Sequence, residues 1–214
     1  MRDDRRYMKK DKPQKNYKAF ANFLFEAGVL ARTPRSGFRH LGSWRQSVAE
    51  HLLRTTYVGF TLAHLERGKD DSIDIEKVLE CCLFHDFGEA RALDLDYISQ
   101  KYSNSDELKA IKDAVKDLPF GQRVIEAFSE TEKQSTKEGI IAKDADHLEL
   151  LLTLKEIMDN GNQQAADWIG PAMKRFKTDS AKLLADEILN TGSDEWWFAD
   201  KSDNYWVTGG KDNK

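Results

Sequence analysis

From Asn16 onwards the apolar residues recur at helical spacing, and no segment alternates convincingly at the two-residue period of a strand. The fold class this pattern predicts is all-α. Stops and starts divide the pattern into helices. Tyr17, Phe20, Phe23, Leu24 and Ala27 share a face and run into Gly28, which suits a helix stop or a close contact. Ser47-Val48-Ala49-Glu50 is a capping box, in which serine and glutamate satisfy each other's otherwise orphan backbone donors. The helix it opens carries Val48, Leu52, Val58, Leu62 and Leu65 and is expected to stop at Gly68. Asp74 is placed to cap the next, with Ile75, Val78, Leu79 and Cys82 on one face and His85-Asp86 at its C-terminal end. Ser105 is expected to cap a helix through Leu108, Ile111, Val115 and Leu118, and Pro119 to open another with Val124, Ile125 and Phe128. A second capping-box match, Ser135-Thr136-Lys137-Glu138, predicts the start of the longest helix, which runs past Ile157 towards Asn160-Gly161. Residues 163–176 and 178–189 read as two more, the first broken or kinked at Pro171.

At 214 residues the chain is long enough for one large domain with a sizeable core. We read a flexible tail over residues 1–15, one domain over 16–190 and an aromatic tail over 191–214, with Trp196, Trp197, Phe198, Tyr205 and Trp206. Charged residues make up 33% of the chain and the formal net charge is -4, which gives no electrostatic footprint for nucleic acid. An anionic small substrate would need local positive charge instead. No apolar run reaches the roughly 18 residues of a membrane span, and the N-terminal Met1-Arg2-Asp3-Asp4-Arg5-Arg6 has no apolar signal core, so no membrane partner and a cytoplasmic setting are expected. The two cysteines, Cys81 and Cys82, are adjacent, which disfavours a disulfide and fits a reducing compartment.

The chemistry concentrates in Cys81-Cys82-Leu83-Phe84-His85-Asp86-Phe87-Gly88-Glu89-Ala90-Arg91-Ala92-Leu93-Asp94. A histidine and a carboxylate stand side by side at the end of an apolar run, with two further carboxylates close behind. Helix neighbours point about 100° apart, so His85 and Asp86 address one object only near a helix end or in a cleft. A divalent ion is such an object, and imidazole with carboxylate suits the borderline and harder ions. Two ligands do not make a site. His51, in the first two turns of its helix, and an aspartate of the longest helix can complete it. Asp144 and Asp146 are two residues apart and face nearly opposite sides, and spacing does not choose between them. His40, His64 and His147 read as structural. The connector from Arg32 to Gln46 carries four arginines and can present cations to an anion.

Four blocks in this order resemble one family. They are Leu30-Ala31-Arg32-Thr33-Pro34-Arg35-Ser36-Gly37, Ser47-Val48-Ala49-Glu50-His51, His85 through Asp94, and Lys143-Asp144-Ala145-Asp146. Together they look like the HD-domain superfamily of metal-dependent phosphohydrolases, most of all its 5'-deoxynucleotidase branch, over about Phe20 to Leu154. The resemblance implies a single helical bundle, usually a homodimer, that converts deoxynucleoside 5'-monophosphates to deoxynucleoside and phosphate with one divalent ion such as cobalt or manganese. Carried over by position, it makes His51, His85, Asp86 and Asp146 the metal ligands, so the family pattern selects Asp146. It makes Glu89 and Asp94 the catalytic acids and Arg35 a substrate-facing arginine. Arg91 and Phe38 are further expected to face a nucleotide substrate, Arg91 the phosphoryl oxygens and Phe38 the base, and Trp44 is a second candidate to stack on the base. One departure stands out: the family usually has glycine before the second acid, where this chain has Leu93.

The mechanism this implies is metal-assisted hydrolysis of a phosphomonoester. One of Glu89 and Asp94 handles the water and the other the departing 5'-oxygen. The superfamily's shared ligands also leave open a hydrolase of cyclic nucleotides, nucleoside triphosphates or guanosine polyphosphates, and a non-catalytic nucleotide-binding module. A two-metal oxygenase variant would need extra histidines between Asp86 and Asp146, and that interval has none.

Overall fold

A computed structural model describes residues 16–42, 45–200, 202 and 205–209. The tail expected over residues 1–15, and Trp44, lie outside the described residues. The rest is helical, as the apolar period requires. α1 (Tyr17–Ala27) is capped by the Asn16 side chain and ends at Gly28. α2 (Val48–Arg67) opens on the Ser47/Glu50 capping box, with both reciprocal bonds made, and ends at Gly68. α3 (Ile75–Phe84) is capped by Asp74 and terminates on His85. A short α4 (Glu89–Ala92) follows, then α5 (Glu107–Val115), α6 (Gly121–Lys133) and the longest, α7 (Lys137–Asp159). α8 (Ala166–Met173), α9 (Asp179–Asn190), α10 (Glu195–Phe198) and α11 (Tyr205–Thr208) complete the described elements. Among the described residues the one β-type pairing is an isolated antiparallel bridge between Pro34 and Ser47. No described helix is long and apolar enough to cross a membrane.

Three starts differ from the sequence expectation. Asp106, not Ser105, caps α5, because its carboxylate lies three residues before the Lys109 N–H and accepts it at 2.9 Å. α6 begins at Gly121 rather than Pro119, and its cap position, Phe120, contributes no side-chain bond. At α7 the hydroxyl that accepts the Gly139 N–H belongs to Thr136, so the expected box is out of register by one residue. Glu138 turns outward and accepts the Asp74 N–H at 3.1 Å, tying the start of α7 to that of α3. Pro171 falls inside α8, which ends two residues later.

α7 runs through the middle and α2 and α3 pack along it. The main core lies between these helices and α9, with Leu62, Val78, Ile141, Leu148 and Leu151 fully buried. Gly59 permits the contact of α2 with α3, since a Cβ there would collide with the Cys82 Sγ. A second cluster joins α1, α5 and α6 to the start of α2 through Leu30, Val48, Ile111 and Val124. A third packs the turn Ser36–Leu41 against the C-terminal half of α7 through Phe38, Leu41, Leu154 and Ile157. The arginine connector is thereby folded back on itself. Val48 N–H donates to Thr33 O and Arg35 N–H to Gln46 O, both at 2.8 Å, which places Arg35 beside the opening of α2.

Candidate metal centre

Each of the two buried imidazoles has one nitrogen committed elsewhere. His85 closes α3, and its Nδ1 lies 2.9 Å from the carbonyl oxygen of Cys82, a group that only accepts. That nitrogen therefore carries the proton, and Nε2 is left with a bare lone pair. His51, in the first turn of α2, has Nδ1 2.5 Å from Glu149 Oε2, which leaves its Nε2 in the same state. The two Nε2 atoms face each other at 3.2 Å. Asp86 Oδ2 lies 3.4 and 3.5 Å from them, and Asp146 Oδ1 3.3 and 3.8 Å. Three lone-pair donors, His51 Nε2, His85 Nε2 and Asp146 Oδ1, are thus turned on one point, and Asp86 Oδ2, which also accepts an Arg35 N–H at 2.9 Å, stands beside them. Donors bound at about 2.0–2.2 Å to one ion stand roughly 3.3–3.6 Å apart in a tetrahedron, so the observed spacings fit a divalent ion. The electrostatics agree. Burial works against it, yet Lys143 and the two imidazoles hold the Asp146 carboxyl well below the usual carboxylate range. Burial and Arg35 push His51 down, but Asp146 and Glu149 outweigh them and raise it. The space attracts positive charge.

The surroundings hold these donors in place. Lys143 Nζ bonds Asp146 Oδ2 at 3.1 Å, leaving Oδ1 for the centre. Glu149 is fully buried and also receives Gln46 at 2.7 Å, Arg54 Nε at 3.0 Å and the Thr153 hydroxyl at 3.1 Å. Burial alone would push its carboxyl up, but His51, Arg54 and Gln46 draw it down to about 2. Asp144, on the opposite side of α7, is equally buried. It accepts Thr178 N–H at 2.7 Å, Thr178 hydroxyl at 2.8 Å and Lys177 N–H at 3.0 Å, pinning the start of α9.

Beside the four donors stand the arginine and acids singled out in the sequence. Arg35 Nη1 lies 2.9 Å from Asp86 Oδ2, and its Nε 3.8 Å from Asp94 Oδ2. Asp94 also accepts the Ser36 N–H at 2.8 Å, and burial raises its carboxyl despite Arg35. Glu89 is buried with Oε2 unpartnered. Burial, then Asp86 and Asp94, push it up to about 10. Leu93 takes φ 65° and ψ 155°, a region that favours glycine, so the backbone turn before Asp94 is made here by a strained leucine at a cost of about 1–3 kcal/mol.

A family model described as HD domain matches residues 27–188. The chain belongs to the HD domain family. The 5'-deoxynucleotidase HDDC2 of Homo sapiens is 28% identical to this HD domain protein over 148 residues, covering 66% of this chain and 70% of that one. The 5'-deoxynucleotidase HDDC2 of Dictyostelium discoideum is 27% identical over 145 residues, covering 64% and 76%. Among solved structures, a conserved hypothetical protein from Pyrococcus furiosus superposes with a TM-score of 0.67 at 28% identity, over 80% of this chain and 99% of that one. A predicted metal-dependent phosphohydrolase from Magnetospirillum magnetotacticum, 21% identical with a TM-score of 0.63 over 83% and 93%, shares the fold.

Not every expected residue reaches the centre of this HD domain. Arg91, expected at the phosphate, points outward and donates Nη2 to Glu26 at 2.8 Å, because the single turn of α4 carries it away from Glu89 and onto α1. Phe38 is buried in the third cluster and lines a cavity that Arg35 and Asp94 also line. His40 bonds Asp96, and His64 meets Phe60 edge to face at the surface. The sequence pattern assigns Glu149, Arg54 and Lys143 no role. The one signal it holds is a glutamate three residues after Asp146, hence on the same face of α7.

Proposed function

We propose that this HD domain protein is a phosphomonoesterase that releases phosphate from deoxynucleoside 5'-monophosphates, with His51, His85, Asp86 and Asp146 holding one divalent ion. The observation that carries the reading is the gathering of His51, His85 and Asp146 donor atoms on one point, with Asp86 alongside, beside an arginine and two raised carboxyls. The HDDC2 relatives, named 5'-deoxynucleotidases, supply the substrate class. A bound ion such as cobalt or manganese contributes Lewis-acid chemistry at the phosphate and its attacking water. Arg35 neutralises charge on the phosphoryl oxygens. Glu89, protonated near neutral pH, holds a proton for the departing 5'-oxygen, and Asp94, beside Arg35 and the Ser36 N–H, accepts one from the attacking water. Glycine-like backbone at Leu93 sets where Asp94 stands. The reading includes a cytoplasmic homodimer, in keeping with the exposed apolar stripe of Leu53, Tyr57 and Phe60 along α2.

The test is phosphate release from a panel of nucleotides with several divalent ions. Asp86→Asn should lower metal-dependent release by at least about 100-fold while the helical circular dichroism stays unchanged. Full activity in that variant would remove Asp86 from the mechanism. Pyrophosphate or tripolyphosphate as the wild-type product would replace the substrate class.

A further inference from the structure

A cavity of about 650 Å3 opens between the turn after Arg35, residues 94–98 and α8. Arg35 and Asp94 form part of its wall, so it is continuous with the proposed phosphate position. Its other walls are of a different character: Phe38, Leu150, Trp168, Pro171 and Ile98 make them largely apolar. A phosphate or a sugar asks for donors and gains nothing from such walls, whereas a flat aromatic ring does. Two large side chains of the lining stand largely in solvent, Tyr97 at 72% exposed, with Lys101 Nζ 4.1 Å from its ring centre, and Ile98 at 43%.

The walls are also prepared. Trp168 packs against the third cluster and stands close to the turn, where a Cβ at Gly37 would be 3.9 Å from the indole ring. The indole is therefore near a residue two positions from Arg35, and both side chains line the same cavity. Residues 96–99 are held by the buried Asp96, which accepts Ile98 N–H at 2.9 Å, the Ser99 hydroxyl at 2.9 Å and Arg39 at 2.8 Å. Asp167 and Arg175 add an acceptor and a donor suited to the polar edge of a heterocycle.

We infer that this cavity is the subsite for the planar base of the nucleotide, with Trp168 as its stacking surface. The inference rests on the proposed nucleotidase reading and deepens it: the substrate is selected by its base as well as its phosphate. Stacking of this kind is sequence-tolerant, because every base has an aromatic face.

The experiment compares deoxyadenosine 5'-monophosphate with 2-deoxyribose 5-phosphate, which carries the same ester and no base. The wild type should favour the nucleotide in kcat/KM. Trp168→Ala should reduce that preference about tenfold or more, chiefly through KM, and Trp168→Phe should restore most of it. Ile98→Trp, which fills the cavity from an exposed position, keeps the test open if the alanine variant fails to fold, and should reduce the preference likewise. An unchanged preference in the folded variants, or none in the wild type, overturns the inference. Calorimetric titration of metal-free protein with deoxyadenosine separates the two readings. Binding that Ile98→Trp abolishes, in a chain that hydrolyses neither ester, keeps the base subsite and removes the nucleotidase. Hydrolysis of nucleotides with no dependence on either residue does the reverse.

Discussion

An imidazole has two nitrogens, and the partner of one decides what the other can do. At His85 that partner is a main-chain carbonyl and cannot be mutated away. At His51 it is Glu149, which can. Glu149→Gln keeps the shape but lets the amide donate to Nδ1, freeing the ring to take its other tautomer. We expect divalent-ion affinity, measured by equilibrium dialysis, to fall about 10- to 100-fold. Wild-type affinity in this variant would dismiss the orienting role. The same residue sets a pH dependence in ion-free protein. Its carboxyl is held at about 2 against an ordinary 4.5, so the stabilisation is complete above about 4.5 and is lost as pH falls towards 2. The fall in melting temperature across that interval should be shallower in Glu149→Gln. The residue types of the candidate centre are legible in the sequence through the resemblance of four ordered blocks, since a histidine next to an aspartate alone says little and spacing does not choose between Asp144 and Asp146. Glu149 and Arg54 are not, since a glutamate and an arginine 95 residues apart show no relation until α2 lies along α7. Arg91 misleads for the same reason: its adjacency to the acids along the chain does not survive one turn of α4.

Helix boundaries are legible where a cap is made locally. Ser47 and Asp74 cap where their spacing predicts. The start of α7 departs from its spacing by one residue because Glu138, which would have closed the box, is engaged by α3, and that contact is tertiary. Within α7 the two aspartates divide their work by face. Asp144 serves the backbone entering α9, and Asp146 faces the imidazoles of His51 and His85. Asp144→Ala should therefore lower unfolding free energy by about 2–4 kcal/mol, through stranded backbone donors, while ion affinity per folded molecule is kept. Asp146→Asn should do the opposite, abolishing ion binding with little change in ion-free melting. Denaturant titrations of both variants, with and without manganese, check this. Equal losses of stability would refute the division.

For the molecule as a whole, the candidate ion site adds a further tie between the first turn of α2, the end of α3 and the middle of α7, beside their apolar faces and the bonds of His51 and Arg54 to Glu149. An ion present at 100 times its dissociation constant should add about 2.7 kcal/mol, or about 5–11 °C in melting temperature for a chain of this size. Differential scanning fluorimetry with and without chelator measures it, and an unshifted transition would argue against a preformed site. The all-α class can be read from periodicity alone. The cavity under α8 cannot, because its walls come from residues 35–38, 94–98 and 150–175 and no local pattern relates them. The two-faced use of α7 also limits how genes for such proteins can drift. Inserting one codon between Ile140 and Asp144 would swing both carboxylates round by about 100° relative to the helix's own beginning, unseating the ion and α9 together. Past Gly161, where the chain has already left the helix, an added residue disturbs neither. Substitutions can accumulate along that helix, whereas its length has to be inherited intact.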